Sequence, residues 1–156
     1  SIIIPVYNRP LEIDELLDSL TKQTVKDFEV IVVEDGSHIK CSEQIEKYKS
    51  LLKVKYYYKD NTGPGLSRNY GCEKAGGDYC VFMDSDCVLP AHYIQALYSS
   101  LMNDFTDAFG GPDNAHPDFS VPQKAINYAM TSFLTTGGIR GGGEKFDKFY
   151  PLHFVP

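Results

Sequence analysis

Asp84 and Asp86 close the apolar stretch VFMDSDCVL, residues 81–89. Such a run predicts a buried strand, and alternate side chains of an extended chain share a face, so the two carboxylates are expected to project together. Two hard anionic oxygen donors at a strand's carboxyl end suit Mg²⁺ or Mn²⁺, ions that take one or two carboxylates and complete their shell with substrate phosphates. A phosphate charge about 5 Å from one carboxylate is repelled by roughly 3 kcal/mol at an effective dielectric of 20. A diphosphate facing both acids therefore needs a cation between, which would also stabilise a departing diphosphate. The competing reading makes Asp84 and Asp86 capping acids ahead of a helix opened by Pro90.

A second cluster is Asn61-Thr62-Gly63-Pro64-Gly65 running into Leu66-Ser67-Arg68. A glycine-bearing turn entering a helix exposes backbone N–H groups suited to an anion. Arg68 in the first turns of that helix opposes the helix dipole, and a broken local rule points to a site. Its competing reading is a surface arginine reaching a carboxylate. Tyr7 and Asn8 follow one apolar run, and Glu34 and Asp35 another. Each cluster alone reads as a solvated loop.

The elements that must position these clusters alternate. Strands are predicted over residues 1–6, 28–33, 54–58 and 81–89, with a short strand at 107–111. Helices are predicted after Pro10, with Asn8 a candidate cap, around Ile45 to Leu52, over 66–75, and from Pro90 through Leu101. The fold class expected is α/β, a mostly parallel twisted sheet flanked by helices on both faces, because βα alternation with strands this apolar requires covered faces. In such sheets ligands bind outside the carboxyl ends of the strands where strand order reverses. All four polar clusters follow strands, so they are expected to meet in one crevice. From Pro112 the rhythm fails: a helix is predicted over 123–133 and a glycine-rich loop over 136–144. The expected division is 1–111 and 112–156.

With 156 residues and 42% hydrophobic content, one packed core is expected. No stretch approaches the roughly 18 apolar residues of a membrane span, and none resembles a signal peptide. The formal charge of −6 argues against a nucleic-acid partner. Cys41, Cys72, Cys80 and Cys87 lack zinc-ligand spacing and read as reduced thiols of a cytoplasmic protein. A chain that opens inside a strand and closes after a glycine-rich stretch is expected to be part of something longer.

Taken together, SIIIPVYNRP, FEVIVVEDGS, NTGPGLSRNYG and GDYCVFMDSDCVLP, in this order, resemble the nucleotide-binding part of the inverting glycosyltransferases of family 2, with the GT-A fold, over residues 1–111. The resemblance implies a nucleotide-sugar donor, usually a UDP-sugar, a divalent metal, and transfer to an acceptor hydroxyl with inversion. By position it implies that Pro5 and Tyr7 line the base and ribose pocket, Asp35 bonds the uracil, and Arg68 meets the base or phosphates. It places Asp84 on the ribose and metal, and Asp86 on the metal. The family's catalytic base lies well beyond the metal motif; Asp113, Glu144 and Asp147 are the acids there, none in a matching context, so the base is expected outside this chain. The acceptor implied is a carbohydrate or a lipid-linked one, with membrane association at the cytoplasmic face open through parts not in this chain. Two alternatives stand: a non-catalytic nucleotide-binding module, and a phosphatase of the haloacid dehalogenase type in which Asp84 attacks phosphorus.

Overall fold

The computed structural model describes residues 1–108, 110 and 120–132. Two compact units divide the chain, Ser1–Phe105 and Thr106–Pro156. The first carries β1 (Ile2–Val6), α1 (Pro10–Thr21), β2 (Glu29–Asp35), α2 (Ser42–Tyr48), β3 (Lys53–Lys59), α3 (Pro64–Lys74), β4 (Val81–Phe82) and α4 (Tyr93–Asn103). Its sheet has the order β3-β2-β1-β4, and every pairing is parallel. The α/β architecture read from the alternation is therefore the one observed.

The strand order carries the functional geometry. From β1 the chain steps outward through β2 to β3, then returns past them to place β4 on the other side of β1. Crossovers of one hand that run in opposite directions put their helices on opposite faces. Accordingly, Ile2, Ile4, Val6, Val30 and Val32 pack with Ile13, Leu16, Leu17, Leu20, Ile45 and Ile94 from α1, α2 and α4. Ile3, Ile31 and Val33 face the other way, against Tyr70 and Cys72 of α3. All five residues of β1 are buried, as a central strand covered on both faces must be. α3 lies close enough that a Cβ on Gly71 would stand 2.4 Å from Ile3 Cγ2, so glycine is required there. Reversal of strand order between β1 and β4 makes their carboxyl ends the expected ligand crevice.

Several expectations from the sequence need correcting. β4 pairs with β1 only through Val81 and Phe82, and Phe82 is 45% exposed. After Met83 N–H donates to Ile3 O at 3.1 Å, the chain turns, and Cys87 N–H donates to Asp84 O at 3.3 Å. Apolar content at 81–89 thus signalled packing of Met83, Cys87 and Leu89 onto the core rather than nine residues of strand. α4 begins at Tyr93, not Pro90, because the Pro90 carbonyl is spent on a turn to Tyr93 N–H at 3.0 Å and on Gln23 Nε2 at 2.8 Å. Asn8 is not a helix cap; α1 starts from Arg9. At 107–111, the described residues Asp107, Ala108 and Gly110 are not in a strand.

The second unit contributes one described helix, α5 (Val121–Thr131), which covers most of the helix expected over 123–133. The glycine-rich loop expected at 136–144 lies outside the described residues. No helix among the described residues is long and apolar enough to cross a membrane.

Candidate donor-binding cleft

A cleft of about 320 Å³ opens at the carboxyl ends of β1 and β4. Pro5, Val6 and Tyr7 line it from β1 and its loop, Asp35 from the end of β2, Pro64 from the start of α3, and Asp84, Ser85 and Asp86 from the turn after β4. Five of the six residues singled out from sequence, Pro5, Tyr7, Asp35, Asp84 and Asp86, are therefore in its wall. The sixth, Arg68, is joined to it through an ion pair, Nη2 to Asp84 Oδ1 at 2.6 Å. Its volume falls in the usual range of small-molecule pockets.

The turn after β1 is built by Asn8, whose φ of 54° is tolerated by asparagine and by few other side chains. Asn8 Oδ1 accepts from His38 N–H at 2.8 Å and Ile39 N–H at 3.0 Å, and its own N–H donates to Ser37 Oγ at 2.9 Å. Those bonds tie the β1 loop to the β2 loop and leave Tyr7, 47% exposed, at the cleft.

Glu34 and Asp35 point to opposite faces of β2, as adjacent strand residues must. Glu34 is buried on the α1 and α2 side, where it accepts from Tyr56 Oη–H and, at 3.0 Å, from Cys41 N–H. Burial, reinforced by the Glu34 charge, pushes the Cys41 thiol up to about 12. Asp35 turns to the cleft side. Its carboxylate accepts from the Lys59 ammonium, from Thr62 N–H at 2.9 Å and from Gly63 N–H at 2.8 Å. Burial alone would raise its pKa; the Lys59 ammonium and the Thr62 N–H foremost outweigh that and hold it below the ordinary carboxylate value.

This arrangement corrects one expectation. The N–H groups of Thr62 and Gly63 ahead of α3, read from sequence as a cradle for a ligand anion, are taken by Asp35 itself. Gly63 adopts φ of 90° and Gly36 φ of 71° to allow the approach, and a Cβ on Gly36 would stand 2.6 Å from Asn61 N.

Asp84 and Asp86 occupy positions one and three of the turn after β4, so the turn, not strand alternation, brings both into the cleft wall. Ser19 Oγ, accepting from Leu89 N–H at 3.1 Å, and Gln23, bonded to Pro90 O and to Ile94 N–H, pin the segment that follows. Each acid meets one guanidinium: Asp84 that of Arg68, and Asp86 that of Arg9, Nη1 to Oδ2 at 3.1 Å. Arg9 carries the same signal as Arg68, a cation at a helix N-terminus, here that of α1, and no glycine-bearing turn beside it sets it apart in the sequence. Lys59 carried no signal, because its partner lies 24 residues away on the neighbouring strand.

No cluster of three or more His, Cys, Asp or Glu side chains able to hold a metal exists among the described residues. The donor set is two carboxylates on one wall, which fits an ion of the Mg²⁺ or Mn²⁺ kind that draws its remaining oxygens from substrate phosphates and water. It does not fit a closed structural metal site. Asp113, Glu144 and Asp147 lie outside the described residues.

An open parallel sheet with anionic and cationic side chains gathered at its switch point defines an α/β protein of the doubly wound type, with a ligand crevice at that point. Comparison with known proteins narrows this. The family described as glycosyl transferase family 2 matches residues 1–152, and this chain belongs to it. That membership removes the phosphatase alternative. Relatives include an uncharacterized glycosyltransferase of Rickettsia bellii (strain RML369-C), 44% identical over 86 residues, covering 55% of this chain and 12% of that protein. The poly(ribitol-phosphate) beta-N-acetylglucosaminyltransferase TarS of Staphylococcus aureus (strain Mu50 / ATCC 700699) is 41% identical over 90 residues, 55% of this chain and 16% of TarS. The crystal structure of S. aureus TarS 1-349 in complex with UDP superposes with a TM-score of 0.64 at 30% identity, covering 72% of this chain and 37% of that one. TarS 1-349 has also been solved with UDP-GlcNAc, with the same TM-score of 0.64. The chain thus spans between about one eighth and somewhat over one third of these relatives.

Proposed function

We propose that this chain is the donor-binding part of a glycosyltransferase that moves a sugar from a UDP-sugar to an acceptor hydroxyl with inversion, assisted by Mn²⁺ or Mg²⁺. One observation carries the reading: Pro5, Tyr7, Asp35, Asp84 and Asp86, spread over 82 positions of sequence, line one cleft at the switch point. UDP and UDP-GlcNAc bound to the related TarS structure support uridine diphosphate as the donor's nucleotide.

Within this reading Pro5 and Tyr7 take the base and ribose, Tyr7 offering an exposed ring at the cleft mouth. The Asp35 carboxylate, already accepting from Lys59, Thr62 and Gly63 and held further by the Ser67 hydroxyl, is the group assigned to the uracil N–H. Arg68, 32% exposed and bonded to Asp84, supplies positive charge toward the phosphates. Asp84 and Asp86 would hold the divalent ion, with Asp84 also within the ribose side of the cleft; when bound, the ion supplies Lewis-acid neutralisation of the diphosphate. The base that takes the acceptor proton is assigned outside this chain. Cys41, Cys72 and Cys80 are free thiols, in keeping with a cytoplasmic location. The acceptor is a carbohydrate or lipid-linked hydroxyl compound.

Calorimetric titration of UDP with and without Mn²⁺, repeated on Asp86→Ala, tests this. Binding is expected to require the metal and to fall at least about tenfold in the variant; equal affinity in all three conditions rejects the metal-assisted site. A non-catalytic module would bind UDP in the same way, so metal-dependent turnover of a UDP-sugar by a longer chain separates transfer from binding alone.

A further inference from the structure

Beside its three aspartates the cleft is lined by a cation, Arg9. Arg9 Nη1 lies 3.1 Å from Asp86 Oδ2 and 3.8 Å from Glu12 Oε1, so one guanidinium nitrogen is within reach of two carboxylates, one in the cleft wall and one on the first turn of α1. Asp86 is 77 residues away in sequence and belongs to the turn after β4; Glu12 is on Arg9's own element. At the N-terminus of α1 the guanidinium opposes the helix dipole, and contact with either acid offsets that cost. Arg9 and Asp86 side chains are 48% and 53% exposed, which makes their pair weak and exchangeable. The Arg68 pair with Asp84 is shorter, at 2.6 Å, and its arginine more sheltered, at 32%. Of the two arginines, Arg9 is the more exposed and the more weakly paired.

We propose that Arg9 is a resident counterion of the donor cleft, seated on Asp86 when no metal is bound and released toward Glu12 when a divalent ion takes that carboxylate. This rests on the metal-assisted reading above and extends it to a residue outside the ligand set. Two consequences follow from the charges. With Arg9 on Asp86 and Arg68 on Asp84, the acidic turn repels an arriving diphosphate less than two bare carboxylates would. A guanidinium and a divalent ion on one carboxylate repel each other, so Arg9 lowers the cleft's affinity for free metal and makes loading favourable mainly when nucleotide phosphates arrive with the ion.

Binding of Mn²⁺ alone, followed by the loss of the free-ion electron paramagnetic resonance signal, tests the proposal on the 156-residue chain. Arg9→Gln is expected to tighten Mn²⁺ binding by about two- to fivefold, the span an exposed ion pair covers. Arg9→Lys, which keeps the charge, should stay close to the parent, and Glu12→Gln should weaken binding by up to about twofold. The effects of the Arg9 and Glu12 variants should shrink at high salt. If Asp86→Ala abolishes Mn²⁺ binding while Arg9→Gln leaves it unchanged or weaker, the metal site stands and the role of Arg9 is overturned. If Mn²⁺ binding ignores Asp86→Ala, the underlying reading fails and this proposal with it.

Discussion

On one wall of the cleft Asp35 keeps only 4% of its side chain exposed and accepts from Lys59, Thr62 and Gly63; on the other, Asp84 and Asp86 leave 66% and 53% exposed and meet one arginine each. Both walls are built from aspartate, yet one is locked and the other adjustable. Burial without partners would have neutralised Asp35, so the chain surrounds it with donors, and those donors fix the loop that starts α3. Exposed Asp84 and Asp86 need no such shell, because water and one arginine each suffice. Under the proposed roles, the rigid wall would take the nucleotide's base and the looser one its diphosphate.

Asp35→Asn should have the largest effect. An amide there would set its NH₂ against the Lys59 ammonium or the Thr62 and Gly63 N–H groups and leave the half-buried Lys59 with only the Asp60 carbonyl and the Thr62 hydroxyl as partners. Unfolding by urea at pH 7 is expected to show a loss of about 2–4 kcal/mol. A loss below about 1 kcal/mol would erase the distinction between the walls.

Acid sharpens the same contrast. The Asp35 carboxyl is held below its ordinary 3.8, so its contribution is fully present above that value and is lost as pH falls through the lower folded-state pKa. The stability difference between parent and Asp35→Asn should therefore be flat from about pH 7 to 5 and shrink below about 3.8. Working with the difference matters because Glu29, pushed down to about 2 chiefly by Lys55, with Ser1 and Gly76, loses its own contribution in the same range. A difference that grows toward acid contradicts the assignment.

Smallest of all should be the effect of Asp86→Ala on folding. Removing one exposed carboxylate from a turn is expected to move stability by no more than about 0.5 kcal/mol. A thermal melt shifted by the amount seen for Asp35→Asn would show the second wall to be structural too.

Much of this was readable from the residues. Runs such as SIIIPV and FEVIVV could only be buried strands, and a polar cluster following each strand announced a crevice at one end of the sheet. Where reading failed, the cause was a partner distant in sequence. Apolar Met83, Cys87 and Leu89 looked like strand because packing against the core and pairing in a ladder leave the same composition. The glycine turn at Gly63 looked like an anion site, and it is one, but the anion is Asp35 from another strand. Asn8 looked like a cap, whereas its oxygen serves the N–H groups of His38 and Ile39.

By itself, the sequence determined the order of elements, the covered faces of the sheet and the identity of the acids and of Arg68, because periodicity and composition are local properties. Only the tertiary structure decided which wall is rigid and which is loose, and that Arg9 stands on Asp86, because a hydrogen bond between residues 77 positions apart leaves no trace along the chain.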